Sequence, residues 1–317
     1  MLPSGTFLVG SNPTTTTDKV ITIVQLVYGI PSVMVMTFLL FFLGFGKSYK
    51  NSFYRLVQMD LLTNLLCYLN SWLILRIQQH PSGVKFLITL EKIFPGLLTL
   101  QVTLLIFFMH MQFLSAAALN IHRITSVVFI TSYDKYWSRW YPLFGVFCIG
   151  YSSLPILSVT GRPFDVKVVN DSVIGSWYQE VIEVTLVQTA IFVLLYFVAL
   201  LVIGVSTYVM VSRKIKTFTD NDRGVSKKLT KIAMTYCSIY IGILLWCILG
   251  ALNEVLHFLP DFIYPIRGYL LMFASDLITL ALPWILLLND TNVQRDLKSF
   301  LWTPMEVDPG MVSASIT

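Results

Sequence analysis

Seven long apolar runs divide this sequence: Val20–Phe45, Phe53–Leu75, Phe94–Ile130, Trp140–Val159, Val184–Val211, Thr230–Leu256 and Tyr264–Leu288. A bilayer core is about 30 Å thick, so a helix of roughly 20 mostly apolar residues crosses it. Each run reaches that length, and the third exceeds it, so its ends project or tilt. Open strands in lipid would leave backbone polar groups unpaired, and the ~10-residue alternation of a membrane barrel is missing. Of 317 residues, 56% are hydrophobic and 12% charged. Soluble domains are about a quarter charged, so lipid must be the second solvent. The expected fold is therefore an all-α membrane protein, a seven-transmembrane helix bundle. It divides into a tail at 1–19, the bundle at 20–288 and an inner segment at 289–317.

Basic residues orient the bundle, because they accumulate on the cytosolic side. One side collects Lys47, Lys50, Arg55, Arg123, Lys135, Arg139, Arg213, Lys214, Lys216, Arg223, Lys227, Lys228, Lys231, Arg295 and Lys298. The other has only Lys19, Arg76, Lys85, Lys92, Arg162, Lys167 and Arg267. This asymmetry puts the N-terminus outside the cell and the C-terminus in the cytosol. The polar, Thr-rich segment Met1–Lys19 lacks the basic and short apolar regions of a cleavable signal peptide, so the first run is expected to act as its own anchor. Asn170-Asp171-Ser172 is a glycosylation sequon in the second external loop. Beyond the seventh run, Val293, Leu297, Phe300 and Leu301 share one face of a helix over Asn292–Trp302, which Asp290 or Thr291 is placed to cap. It is expected to lie on the inner membrane surface, followed by a disordered tail from Thr303.

No catalytic signature is present: there is no His-Glu-x-x-His, Cys-x-x-Cys or Gly-x-Ser-x-Gly, and the four histidines do not cluster. The four cysteines lie inside apolar runs and give no disulfide framework. Neither an enzyme, a metal site, a cofactor nor a nucleic-acid partner is expected. The informative residues are polar ones at membrane depth, which are costly there and usually face the bundle interior. Asp60 and Asn64 share a face of the second run, Asn120 and Arg123 sit near the inner end of the third, and Asp276 is central in the seventh. Counted from the helix ends, Asp60 and Arg123 share a depth, which predicts an ion pair between them, joined by Asn64 or Asn120. The competing arrangement has Arg123 snorkelling to the interface and Asp60 held by hydroxyls or amides. The basic third internal loop, with Lys214, Lys216, Lys227, Lys228 and Lys231, satisfies the charge rule and attracts anionic lipid. It is compatible with docking a cytosolic partner.

Seven spans, a basic third internal loop and a helix after the last span resemble a G-protein-coupled receptor. Three segments carry a closer resemblance: Tyr28-Gly29-Ile30-Pro31-Ser32, Asn120-Ile121-His122-Arg123-Ile124-Thr125-Ser126, and Ser275–Leu280 running into Leu282-Pro283-Trp284-Ile285-Leu286-Leu287 before Asn289-Asp290. They are similar to the nematode serpentine chemoreceptors of the gamma class. The chain departs from rhodopsin-like receptors: His122 precedes Arg123, the second external loop has no cysteine, and the seventh run lacks Asn-Pro-x-x-Tyr. The resemblance implies a plasma-membrane chemosensory receptor, in the gamma class associated with sensory cilia, that binds a small molecule and couples to a heterotrimeric G protein. Thr99, Thr103, His110, Gln188, Trp246 and Tyr269 are the candidate ligand-lining residues. Asp60, Asn64, Asn120, Arg123 and Asp276 are the candidate switch. A ligand-gated channel or transporter is the rival reading, although neither repeated halves nor broken helices are visible.

Overall fold

The computed structural model describes residues 6–8, 15–46, 49–77, 80–129, 133–158, 164–169, 172–177, 179–214, 220–256 and 264–302. Asn170, Lys216 and the tail from Thr303 lie outside them. The chain runs β1 (Thr6–Leu8), α1 (Thr16–Phe45), α2 (Ser52–Ser71), a π turn (Trp72–Arg76), α3 (Pro81–Ile93), α4 (Leu97–Val128) and α5 (Tyr133–Ser158). It continues with β2 (Phe164–Val169), β3 (Ser172–Trp177), α6 (Gln179–Lys214), α7 (Asp220–Leu256), α8 (Tyr264–Asn289) and α9 (Thr291–Trp302). Seven long helices thus occupy the seven apolar runs. By length and apolarity alone, five qualify as membrane spans: Thr16–Phe45, Leu97–Ser126, Val187–Arg213, Thr230–Leu249 and Tyr269–Asn289. The other two, α2 and α5, carry more polar and charged residues, such as Asp60 and Asn64 in α2 and Asp134 and Arg139 in α5.

Local sequence explains how the helices begin and end. Thr15 accepts from the Asp18 amide while the Asp18 carboxylate accepts from the Thr15 amide, a reciprocal cap that starts α1. The turn into α4 needs a left-handed residue, and Gly96, at φ 87°, supplies it. Glu91 then reaches forward from α3, its carboxylate accepting from the Gly96 and Leu98 amides at 2.5 and 2.9 Å, which satisfies the free donors of the α4 start. Asp290 caps α9, accepting from the amides of Asn292 and Val293 at 3.0 and 3.3 Å.

Helix α4 is the axis of the bundle, packing against α2, α5, α6 and α7. The core runs through its C-terminal half and joins Met36 and Leu39 of α1, Val57 and Leu61 of α2, Ala116 and Leu119 of α4, Tyr236 and Tyr240 of α7, and Leu282 and Leu286 of α8. Between α1 and α2 the approach is close: a Cβ at Gly29 would stand 2.0 Å from the Tyr68 hydroxyl oxygen. Large apolar side chains such as Ile23, Val27, Met34, Val187, Leu195 and Val202 stay exposed on the outer faces of α1 and α6, as a helix facing lipid requires.

Two features lie outside the seven expected helices, and the second of them is not helical. Helix α3 occupies the connection between α2 and α4, started by Pro81 at its first position. A three-stranded antiparallel sheet, in the order β1-β3-β2, is built from the N-terminal segment and the connection between α5 and α6. Leu87 and Ile88 of α3, Leu98 of α4 and Val173 of β3 form a separate small apolar cluster there. Strands are tolerated here because, beyond the apolar stretches of the helices, water can satisfy their edges.

Candidate functional site

Among the described residues, three polar clusters lie inside the bundle. The central one surrounds Asp60 of α2, which is fully buried. Its Oδ2 accepts from Asn64 Nδ2 and from the Tyr236 hydroxyl, each at 2.8 Å, and its Oδ1 accepts from the Ser115 hydroxyl. Gln112 Nε2 donates to Asn64 Oδ1 at 2.7 Å and to Thr279 Oγ1 at 3.1 Å. The Tyr236 and Tyr240 hydroxyls meet at 3.1 Å. Side chains from α2, α4, α7 and α8 therefore share one hydrogen-bonded cluster. Three donors satisfy this carboxyl group without a cation.

The expected Asp60–Arg123 ion pair is not formed. The register of α2 against α4 gives the reason. Asp60 faces Ser115, while Ser52 faces His122 and Phe53 lies under Arg123. Arg123 therefore sits eight residues beyond Ser115, about 12 Å further toward the C-terminal end of α4. Counting from helix ends misplaced it because α4 extends well past the start of α2. The guanidinium stacks 4.0 Å over the Phe53 ring, and its NH2 lies 2.9 Å from His122 Nδ1. A guanidinium only donates, so Nδ1 accepts; Nε2 then carries the proton and donates to Ser52 Oγ at 2.9 Å. Asn120 also stands apart from Asp60: its Nδ2 donates to the Ala116 carbonyl, and its Oδ1 has no partner.

Asp276 has a different partner from any the sequence suggested. Arg76, 1% exposed, donates to its Oδ1, and the Tyr28 hydroxyl donates to its Oδ2. Arg76 NH1 also donates to Ser71 Oγ at 2.6 Å and Nε to Gln25 Oε1 at 3.3 Å. Its guanidinium lies over the rings of Trp72 and Tyr68. Arg76 was counted among the external loop charges; the π turn at Trp72–Arg76 continues the helix and brings it into the bundle. The signal that exposes it is positional: Arg76 directly follows the apolar stretch Trp72–Leu75.

The candidate ligand-lining residues are spread over a tall region. His110 is buried against α6, its Nδ1 2.6 Å from the Tyr196 hydroxyl and its ring edge-on to Phe192. Thr99 and Thr103 stack one turn apart on α4, the Thr103 hydroxyl donating to the Thr99 carbonyl at 2.9 Å. Thr103 lies seven residues, about 10 Å, from His110 along the helix. Gln188 and Trp246 are half-buried on α6 and α7. Tyr269 is committed elsewhere: its hydroxyl donates to Asp18 Oδ1 at 2.7 Å, joining α8 to the start of α1.

Where α9 meets the bundle, Tyr54 donates to Asp290 at 2.6 Å, Tyr49 to Asp296 at 2.9 Å, and exposed Lys228 to Thr291 Oγ1 at 2.8 Å. Burial, and then the Asp296 carboxylate, hold the Tyr49 phenol well above its usual range, so it remains a donor. Val293 is fully buried in the protein core rather than pressed against lipid. Lys231 is exposed on α7. Lys214 and Lys227 fall within α6 and α7.

A model of the Srg family of chemoreceptors matches residues 22–297, from the first turns of α1 into α9. The chain belongs to the Srg chemoreceptor family. Serpentine receptor class gamma-47 of Caenorhabditis elegans is 36% identical over 275 residues, which is 87% of this chain and 89% of the relative. Serpentine receptor class gamma-53 of the same organism is 28% identical over 288 residues, 89% of this chain and 92% of the relative. The family match encloses all three clusters. Within this Srg chain, the carboxyl groups at Asp60 and Asp276 and the cation at Arg123 were legible as buried polar positions. Arg76, Tyr236, Ser115 and Tyr28 were not, because hydroxyls and a helix-end arginine look ordinary in sequence.

Proposed function

We propose that this Srg-family chain is a seven-span chemosensory receptor of the plasma membrane, its N-terminus outside and its C-terminus in the cytosol. It binds a small molecule from the outer side and signals through a heterotrimeric G protein; the family resemblance favours a sensory cilium. The family supports the receptor class, and the basic-residue asymmetry supports the orientation. The observation that carries a switching role is the Asp60 cluster, in which α2, α4, α7 and α8 meet through exchangeable hydrogen bonds. A ligand that favours a different placement of α7 or α8 shifts an existing equilibrium by its difference in affinity for the two arrangements. His110, Thr99, Thr103, Gln188 and Trp246 remain the proposed ligand-facing residues of α4, α6 and α7. Lys214, Lys216, Lys227, Lys228 and Lys231 form the proposed cytosolic partner surface.

The test is expression in a heterologous cell with a G-protein activation readout, screened against a panel of small molecules. A ligand-dependent signal abolished by removing the G protein supports the reading. Ligand-evoked current persisting in cells that lack functional G protein replaces it with a channel.

A further inference from the structure

We infer that the outer half of the bundle contains a site for a neutral acceptor oxygen, the carbonyl of a lipophilic small molecule, held by the Gln25 side-chain amide beside the Arg76–Asp276 pair. The inference rests on the small-molecule receptor reading and specifies the chemistry of a site between α1, α2 and α8. Gln25 is 2% exposed. Its Oε1 accepts from Arg76 Nε at 3.3 Å, and since a guanidinium offers only donors, this fixes which way the amide is turned. Gln25 Nε2 then faces the same buried region and has no hydrogen-bond partner. An amide N–H withdrawn from water without a partner is costly, and a ligand oxygen is what it lacks.

The surroundings select the class of ligand. Arg76 is already paired with Asp276, and Tyr28 donates to that same carboxyl group. The ion pair is therefore balanced, and a ligand carboxylate would bury an additional charge at membrane depth, where charge is expensive. A carbonyl oxygen accepts the hydrogen bond without adding charge. The guanidinium itself lies 5.5 and 5.2 Å over the rings of Tyr68 and Trp72, so the neighbourhood of the pair is aromatic. The π turn that positions Arg76 belongs to a class of helix irregularity frequent at functional sites.

The full-length receptor in lipid nanodiscs is probed with a medium-chain methyl ketone bearing an isotope-labelled carbonyl, the alkane of equal length, and the fatty carboxylate of equal length. Thermal melting reads binding, and the infrared carbonyl stretch reads hydrogen bonding. The expected result is saturable stabilisation by the ketone, little by the alkane, and a lowered carbonyl frequency for the bound ketone. Gln25→Glu keeps an oxygen for Arg76 but removes the N–H donors, and Gln25→Met removes both without adding charge. Both variants are expected to lose the frequency shift. Absence of ketone stabilisation or of the shift in the wild-type protein overturns the inference. So does a shift that survives in either variant, or stronger stabilisation by the carboxylate. Binding is read here without a G protein, so failure of this site and failure of G-protein coupling remain separate results.

Discussion

Arg76 and Asp276 are nearly inaccessible to solvent, so removing either leaves the other buried without its partner. Breaking such a pair typically costs about 3–5 kcal/mol. Arg76→Gln and Asp276→Asn are each expected to lower both the melting temperature and surface expression, and the exchanged double mutant Arg76→Asp with Asp276→Arg to recover part of the loss. Additive losses would show that the pair is not coupled. Asp60 and Arg123 should behave in the opposite way. Asp60→Asn disturbs a carboxyl group with three donors, at a cost of about 1–3 kcal/mol. Arg123→Gln disturbs a cation stacked on Phe53. No shared contact links them, so a double-mutant cycle on Asp60 and Arg123 is expected to be additive within about 0.5 kcal/mol. Coupling well above that would contradict the register. That these side chains are buried followed from hydropathy; their pairing did not, because a shift of two helical turns between neighbouring helices leaves every apolar pattern unchanged.

At the scale of elements, each long helix coincides with an apolar run, since length and hydropathy report burial in lipid directly. Helix α3 and the sheet were harder to read, though their signals are present. Pro81 opens α3, and Phe164–Val169 and Ser172–Trp177 are two short runs rich in Val and aromatic residues separated by Asn170-Asp171, a hairpin pattern. Helix α9 was legible from its apolar face, but the same face cannot distinguish lipid from protein, and Val293 turned out to contact the core. Asp290 both caps α9 and accepts from Tyr54. Asp290→Ala is expected to cost about 0.5–2 kcal/mol from the cap alone. Hydrogen exchange should show amides of Thr291–Trp302 losing protection while α4 is unchanged; unaltered protection would remove Asp290 as the anchor. In wild type, a spin label at exposed Lys298 should be more water-accessible than one at Val293.

For the whole molecule, the sheet imposes a constraint that charge counting alone does not. β1 lies in the N-terminal segment and pairs with β3 across Thr6↔Ser176, Phe7↔Gly175 and Leu8↔Ile174. β3 begins at Ser172, the last residue of the Asn170 sequon, and pairs along its length with β2. The paired strands β1, β2 and β3 therefore lie on one side of the membrane, whichever side that is, and the N-terminal tail and the sequon loop are expected to follow them. The basic-residue asymmetry assigns that side to the exterior. Two independent measurements must then agree. An epitope placed before Met1 is expected to bind antibody on unpermeabilised cells, and the receptor is expected to show a glycosidase-sensitive gel shift that Asn170→Gln abolishes. If the epitope is reached only after permeabilisation and no glycan forms, the orientation is inverted and the receptor reading fails with it. If the epitope is outside while an Asn170 sequon moved clear of the membrane surface by a short inserted spacer still receives no glycan, the two segments lie on opposite sides. The β1–β3 pairing would then be wrong.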